Sequence, residues 1–570
     1  SDRDFPPDKR REGGAQRLGR QPAQVDELDV GQGEAYVPGL GPVERAPCPL
    51  AEPRFAAISF RLSDVVFANL AVVDPAELRP AFAEYVGQTI PIATVCEIRD
   101  RAATILRQRG WLAAVQVPPQ QIGPDGVVRF DVLMARLTRI QVRGDAGSSE
   151  RLLASYLEPL TRAPAFNQRD AERHLLLARE LPGYDVRLTL RPAGTAPGEV
   201  VGDIRVERAP IELEGNVQNY GSTSAGRFGG QARIQFNDIL GLGDRTSIAA
   251  FSTIDVDEQQ VINIAHDLRI GGGGLRIGGE FTYAWNAPDL GIPAPFDSET
   301  LIASLRASYP FRLDQATRIT GSWGFELIDQ RVTFADIPIS EDNLRVAFAR
   351  VDAAFSDRAS IEGVGGFSAT EPRWRLAVGA EVRQGLDVLG ASDSGLHGPL
   401  DVPQSRVFGE SDATVFRLDA TAEFRPVPSI VFAFQPRLQL TDDALLAYEE
   451  FSGGNYTVGR GYDPGYILGD QGAGFRSEFR VGSLVPRERG GFAIQPYSFF
   501  DAAWVWNEDN DELAGDDPDD IQSVGGGARA AWGDRALLDV ALAAPLSRTR
   551  FQSETPDVRV LVSLSVRFLP

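Results

Sequence analysis

The chain has 570 residues, and 57 basic against 79 acidic side chains give it a formal net charge of −22. So acidic a chain repels nucleic acid, which argues against a DNA or RNA partner. Lys9, in the polar N-terminal stretch, is the one lysine. Phosphate loops of the Walker type and Schiff-base enzymes need a lysine within the fold, so neither class is supported.

His174, His266 and His397 stand far apart without an HExxH pair. No metal site, cofactor or catalytic set is therefore assigned. Cys48 and Cys96 lack metal-like spacing and suit either one disulfide in an oxidising compartment or two inert thiols; the disulfide is preferred because later features point to the periplasm. No run reaches the ~18 apolar residues of a spanning helix, and the longest candidate, Val65 to Val73, is broken by Asn69. The chain begins Ser-Asp-Arg-Asp without a signal peptide, and a leader removed ahead of this numbering is expected.

Residues 1–54 are polar and charged, with a short helix expected around 15–30 and a Pro/Gly-bearing linker over 31–53; a disordered tail is the competing reading. From Phe55 to Arg208 the pattern is mixed α and β. Strand-like Ala56–Leu62 leads to Asp74-Pro75, an N-cap with proline at the first helical position, and to a helix presenting Leu78, Phe82 and Tyr85 on one face. A second helix is expected from Thr94, with Glu97 completing a capping box, to Gly110. Alternating segments 113–117 and 127–134 follow. The order then recurs: strand 137–142, helix 150–157, a helix capped by Asn167, and strands 184–190 and 199–206. Two successive β-α-α-β-β units form an internal repeat, and each sheet has an edge able to accept an extended guest.

Beyond Ala209 the helical period gives way to strict two-residue alternation. Phe228, Ala232, Ile234 and Phe236 share a face opposite Gln231, Arg233 and Gln235. Trp374, Leu376, Val378 and Val382 oppose Arg375 and Glu381, and Val558 to Phe568 repeats the pattern against Arg559 and Arg567. A soluble sandwich also alternates. Segment lengths near ten residues, aromatics at strand ends and an arginine- and glutamate-rich polar face favour a membrane barrel with a wet lumen. Hydrocarbon offers no partner to free peptide groups, so such a sheet must close.

Particular stretches carry a family resemblance. Gly110-Trp111-Leu112 leading to Val117-Pro118-Pro119-Gln120, Leu181-Pro182-Gly183-Tyr184 with Leu190-Arg191-Pro192, and the turn Leu240-Gly241-Leu242-Gly243-Asp244 are three of them. The most specific is Val458-Gly459-Arg460-Gly461-Tyr462 with Leu468-Gly469-Asp470-Gln471-Gly472. Over about Phe55–Phe568 the chain resembles the TpsB transporters of two-partner secretion, of the ShlB/FhaC/HecB type, within the wider Omp85 superfamily.

That resemblance implies a 16-stranded antiparallel transmembrane barrel over 209–570, preceded by POTRA domains at 55–136 and 137–208 and an N-terminal segment 1–54 with a plug helix. It implies a lumen loop over 452–472 whose Gly459, Arg460, Gly461 and Tyr462 form a motif, with Arg460 meeting Asp501 in the strand motif Phe499-Phe500-Asp501. Gly459 departs from the family, where an apolar residue commonly precedes Arg-Gly. The implied function is export of an unfolded partner exoprotein across the bacterial outer membrane, without nucleotide hydrolysis. The partner would dock on POTRA residues 55–208, in the periplasm, and the barrel would be a monomer in lipid and lipopolysaccharide. Activation of the partner, as well as export, belongs to the same family picture. An assembly insertase of the same superfamily and a passive porin are the alternatives. The acidic run Glu508–Asp520 could chelate calcium but lacks EF-hand spacing, and a solvated extracellular loop is the preferred reading.

Overall fold

The computed structural model describes residues 47–289, 291, 295–393, 401–488, 490–508, 517–549 and 554–569. The expected plug helix, most of the linker, His397 and residues 509–516 of the acidic run lie outside them. The chain divides into compact units on either side of the Arg208–Ala209 junction.

The N-terminal unit holds two small α+β repeats. In the first, strand Val127–Met134 lies between Asp64–Ala68, parallel to it, and Ala113–Gln116, antiparallel. In the second, Glu199–Arg208 lies between Arg136–Arg143, parallel, and Tyr184–Pro192, antiparallel. The second repeat's helices are Glu150–Arg162 and Gln168–Arg179, the latter capped by the Asn167 side chain on the Arg169 amide. Phe130, Val128, Leu106 and Ile98 fill the first core, and Tyr156, Leu157, Ile204 and Val206 are buried in the second.

Local expectations in the first repeat need correction. The expected strand 56–62 shrinks to Ser59–Arg61, paired with Thr89–Pro91, while the sheet proper takes Asp64–Ala68. Asp74 does cap, accepting from the Ala76 amide, but the helix it starts is 3-10 over Pro75–Ala81 and Ala83–Tyr85. Pro80 inside it has no amide hydrogen to donate and disfavours a regular α-helix there. Thr94 is the first helical residue of Thr94–Gln108, not a cap; Ala93 holds that place without a side-chain bond. Glu97 instead pairs with Arg101 one turn on, at 2.8 Å.

Cys48 and Cys96 are joined by a disulfide, which fastens the start of the described chain to the helix Thr94–Gln108. The repeats are coupled by backbone bonds: Phe166 donates to Ala135 O at 2.6 Å and Gln168 to Gly110 O at 2.7 Å. Gly110 has φ +87°, and a Cβ there would sit 2.6 Å from Asn167 Oδ1, so this joint requires glycine.

His174 is half-buried on the helix Gln168–Arg179. Burial lowers its imidazole below the ordinary histidine value, with the Tyr156 backbone and Asp170 opposing and Arg173 reinforcing. With the folded value depressed, stability is intact above the unfolded value of about 6.5 and is lost as pH falls through it, because only the unfolded chain then takes up the proton. Amide protection factors in this helix are therefore expected to fall below pH ~6 in the full chain, and less so in His174→Gln.

The C-terminal unit is a closed barrel of sixteen antiparallel strands. Each strand pairs with its neighbours in sequence, and the last, Arg559–Leu569, closes onto the first, Ile211–Gln218. Asn216 reinforces this seam by donating to Ser563 and Ser565 hydroxyls at 3.0 and 2.9 Å. Val217, Phe281, Trp285, Trp323, Trp374, Leu376, Phe432, Val540, Val560 and Phe568 are exposed on the barrel. Polar residues such as Gln235, Arg350, Glu381, Arg383, Glu423 and Asp501 are buried. The turn Leu240–Asp244 follows the second strand, with buried Asp244 accepting from the amides of Ile239 and Leu240 at 3.1 and 2.8 Å. His266 lies on the fourth strand, its Nδ1 2.9 Å from Thr246 Oγ1.

Three consecutive strands, Phe296–Leu313, Thr317–Phe334 and Ile337–Ser356, run to 18, 18 and 20 residues. Toward the Phe334–Ile337 turn their polarity inverts. Asp329 and Arg331 share the face that carries Trp323, whereas Ile328 and Val332, of opposite parity, are buried. Ile328 packs with Leu344, Val346 and Leu446, the last from the segment after strand Ile430–Leu440.

Candidate functional site

Strands Ile430–Leu440 and Gln471–Val481 are neighbours in the barrel wall, yet some thirty residues join them. Phe451–Gly453 and Ile467–Gly469 pair antiparallel, making a hairpin whose arch is 454–466. One side of it is apolar. Phe451, Val458, Tyr462 and Ile467 pack against Ala503, Val505 and Ile521 of the wall, all buried. Side chains of this size contribute about 1.5–3 kcal/mol each on full burial, so apolar packing is a large part of what holds the loop to the wall.

The arch carries Arg460 onto Asp501. The guanidinium Nε and Nη2 donate to the two carboxylate oxygens at 2.8 and 2.7 Å, and the Arg460 amide adds a third bond at 3.1 Å. Asp501 is fully buried, and the guanidinium carbon lies 3.7 Å from the centroid of the Phe499 ring. Phe499 and Phe500 part company here: Phe499 is buried under Arg460, while Phe500 has the opposite parity and lies 5.9 Å from Phe475. Planar bidentate pairing of this kind fixes orientation as well as contributing energy, which lysine could not do.

Glycines on both sides of Arg460 are dictated by space. Gly459 has φ +114°, and a Cβ there would lie 2.6 Å from Ile521 Cδ1. That explains why no apolar side chain precedes Arg-Gly in this chain. A Cβ on Gly461 would lie 2.9 Å from Ser523 Cβ and from Pro545 N, so the loop backbone runs directly against two strands. The Tyr462 hydroxyl reaches Gln522 O at 2.8 Å and Ser547 O at 2.7 Å.

Several groups at this site were not legible from the motif. Glu478, on strand Gln471–Val481, takes Arg460 at 2.5 Å, Arg480 at 2.6 Å and Arg529 at 2.9 Å. Arg529 also meets Asp539 at 3.0 Å, and Arg480 meets Glu423 at 2.9 Å, so the arginine–aspartate pair is one link in a ladder of charges along the wall. The polar parity of Arg476-Ser477-Glu478-Phe479-Arg480 was the available signal. The loop tip also reaches the seam: Asn455 donates to Tyr220 O at 3.2 Å, and Arg559 pairs with Asp463 at 2.9 Å.

Further back, Asp470 is fully buried and gathers three loops. Arg406 pairs with it, Nη2 donating at 3.1 Å, and the amides of Leu445 and Glu508 donate at 2.7 and 2.8 Å. Glu449 takes Arg383 at 2.6 Å and Arg417 at 2.8 Å, and Arg383 continues to Glu326 at 2.8 Å. Among the described residues no group of three or more His, Cys, Asp or Glu is placed to hold a metal ion.

A closed sixteen-stranded barrel, apolar outside and charged within, with a hairpin clasped into its lumen and two α+β repeats ahead of it, defines an outer-membrane pore. The chain matches the family model of the haemolysin secretion/activation proteins ShlB/FhaC/HecB over residues 203–530, more than half its length, and belongs to that family. Residues 60–134 match the ShlB-type POTRA domain. The chain is 22% identical over 466 residues to the outer membrane transporter CdiB of Escherichia coli, covering 79% of this chain and 74% of that protein. Solved structures of CdiB from Escherichia coli and from Acinetobacter baumannii share the fold with TM-scores of 0.70 and 0.61, both at 16% identity. The first similarity covers 93% of this chain and 94% of that one, and the second 95% of each. The protein is accordingly a two-partner secretion pore of the outer membrane, with its POTRA region in the periplasm, working with a secreted exoprotein.

Proposed function

We propose that the exoprotein docks unfolded on the POTRA repeats, within residues 55–208, and threads through the barrel lumen as a monomeric pore in lipid and lipopolysaccharide. The observation that carries this reading is the clasped loop: a lumen occupied by a hairpin held through Arg460 and Asp501 is a gated path rather than an open one. The outer strands of the two sheets, Asp64–Ala68 and Arg136–Arg143, offer backbone to an added strand. Folding of the partner outside would bias movement outward, with no nucleotide consumed. In this reading Gly459, Arg460, Gly461 and Tyr462 with Asp501 act as the latch of the gate, and Phe499 as the surface on which the arginine rests.

Deleting residues 55–208 is expected to abolish secretion of the cognate exoprotein while barrel assembly persists. Unchanged secretion from assembled barrels would rule out the docking step.

A further inference from the structure

The sheet of the second repeat has one face covered by helices and one open. On the open face the register sets Arg143 opposite Arg205 and Arg205 opposite Arg187, a row of three guanidinium groups across all three strands. Their side chains are 62, 75 and 67% exposed. Like charges directly opposite on a sheet are destabilising. Each arginine also forms a solvent-exposed ion pair with a carboxylate one position along the same face: Arg143 with Asp203 at 3.3 Å, Arg205 with Glu207 at 3.4 Å and Arg187 with Asp185 at 3.1 Å. Exposed pairs of this kind are weak enough for an incoming carboxylate to compete with them. Residues 136–208 hold twelve arginines against ten carboxylates, in a chain whose net charge is −22.

We propose that this row receives an acidic, extended segment of the secreted exoprotein, added as a strand beside Arg136–Arg143. The inference rests on the POTRA docking reading and names the surface and the chemistry it selects. A residue paired with Arg143 on an added strand would lie about 5 Å away on the same face, continuing the row, and a carboxylate there neutralises it. The opposite edge is already partly occupied, because Arg179 Nε donates to Val186 O at 3.0 Å. A flat anionic membrane surface fits less well. The next position along the sheet sets Asp203 beside Gln141 and Thr189, and the one on the other side sets Glu207 beside Asp185, so negative charge flanks the row on both sides.

The test uses the full chain in detergent micelles and a fluorescein-labelled peptide of alternating glutamate and threonine, about ten residues long to span the strand. Binding is expected to weaken roughly tenfold or more in Arg143→Gln/Arg187→Gln/Arg205→Gln and to weaken as salt rises from about 50 to 300 mM. The matching lysine–threonine peptide is expected not to bind. Equal affinity of the triple variant, equal binding of the lysine peptide, no binding by the unmodified protein, or binding only to phosphatidylglycerol vesicles would each overturn the proposal. An unaffected triple variant, with deletion of 55–208 still abolishing secretion, removes the arginine row and leaves docking standing; secretion that survives the deletion removes docking itself.

Discussion

Asp501→Ala is expected to release the lumen loop from the wall and to cut secretion of the exoprotein at least tenfold. Arg460 would lose both carboxylate contacts and the bond to its amide, keeping the Phe499 ring and Glu478, which Arg480 and Arg529 already share. Stranding one member of a buried pair costs about 3–5 kcal/mol, and the remaining contact to Glu478 places this case near the lower figure. The Phe451–Ile521 packing is untouched, so the loop should loosen at its tip before it detaches. Maleimide labelling of Thr457→Cys measures that directly and is expected to quicken. Arg460→Ala should do the same, and the double variant should cost clearly less than the sum, since the second substitution removes an already stranded group. Strict additivity would show that the two side chains act independently.

The second large effect is expected at Asp470. Its carboxylate is the common acceptor for Arg406 and for the amides of Leu445 and Glu508, which belong to three different loops. Alanine there leaves two amides without their acceptor and leaves the part-buried Arg406 with Leu445 O at 2.7 Å and Glu450 at 3.4 Å, so the loss falls below the about 3–5 kcal/mol of a fully stranded buried charge. Cleavage by trypsin after Arg406 is expected to rise by one to two orders of magnitude in Asp470→Ala, with Asp470→Asn between it and the unmodified protein because one acceptor oxygen remains. Equal cleavage rates would mean that the loops are held by the apolar contacts of Leu446 and Phe451 alone.

Much of the barrel was readable because its two faces meet different solvents. Phe416, Leu418 and Phe424 on one parity with Glu423 on the other state the lipid and lumen sides without further information. The rule fails where the tall strands lose the apolar outer band. There Ile328 and Val332 turn inward to meet a loop, and Asp329 and Arg331 share the outer parity, so apolar no longer means outward. The Arg460-to-Asp501 contact was suggested by family resemblance, since no local pattern links residues 41 positions apart. Glu478 and Asp470 were missed as organising groups because a lone carboxylate on a polar parity looks alike whether it meets water or three arginines. Capping at Thr94 failed for a plainer reason: Ala93 takes the cap position, Thr94 is already helical, and Glu97 pairs with Arg101 one turn on.

The most direct test of the account asks which side of the wall the exoprotein passes. Asn263 and Ile264 are adjacent on one strand: Asn263 donates to Glu280 and Thr282 on the polar inner side, and Ile264 is exposed on the apolar face. A photo-crosslinking residue placed at each, in cells whose exoprotein is stalled during export, is predicted to capture the exoprotein from position 263 and not from 264. Capture from 264 alone, or from neither while secretion proceeds, would contradict passage through the lumen.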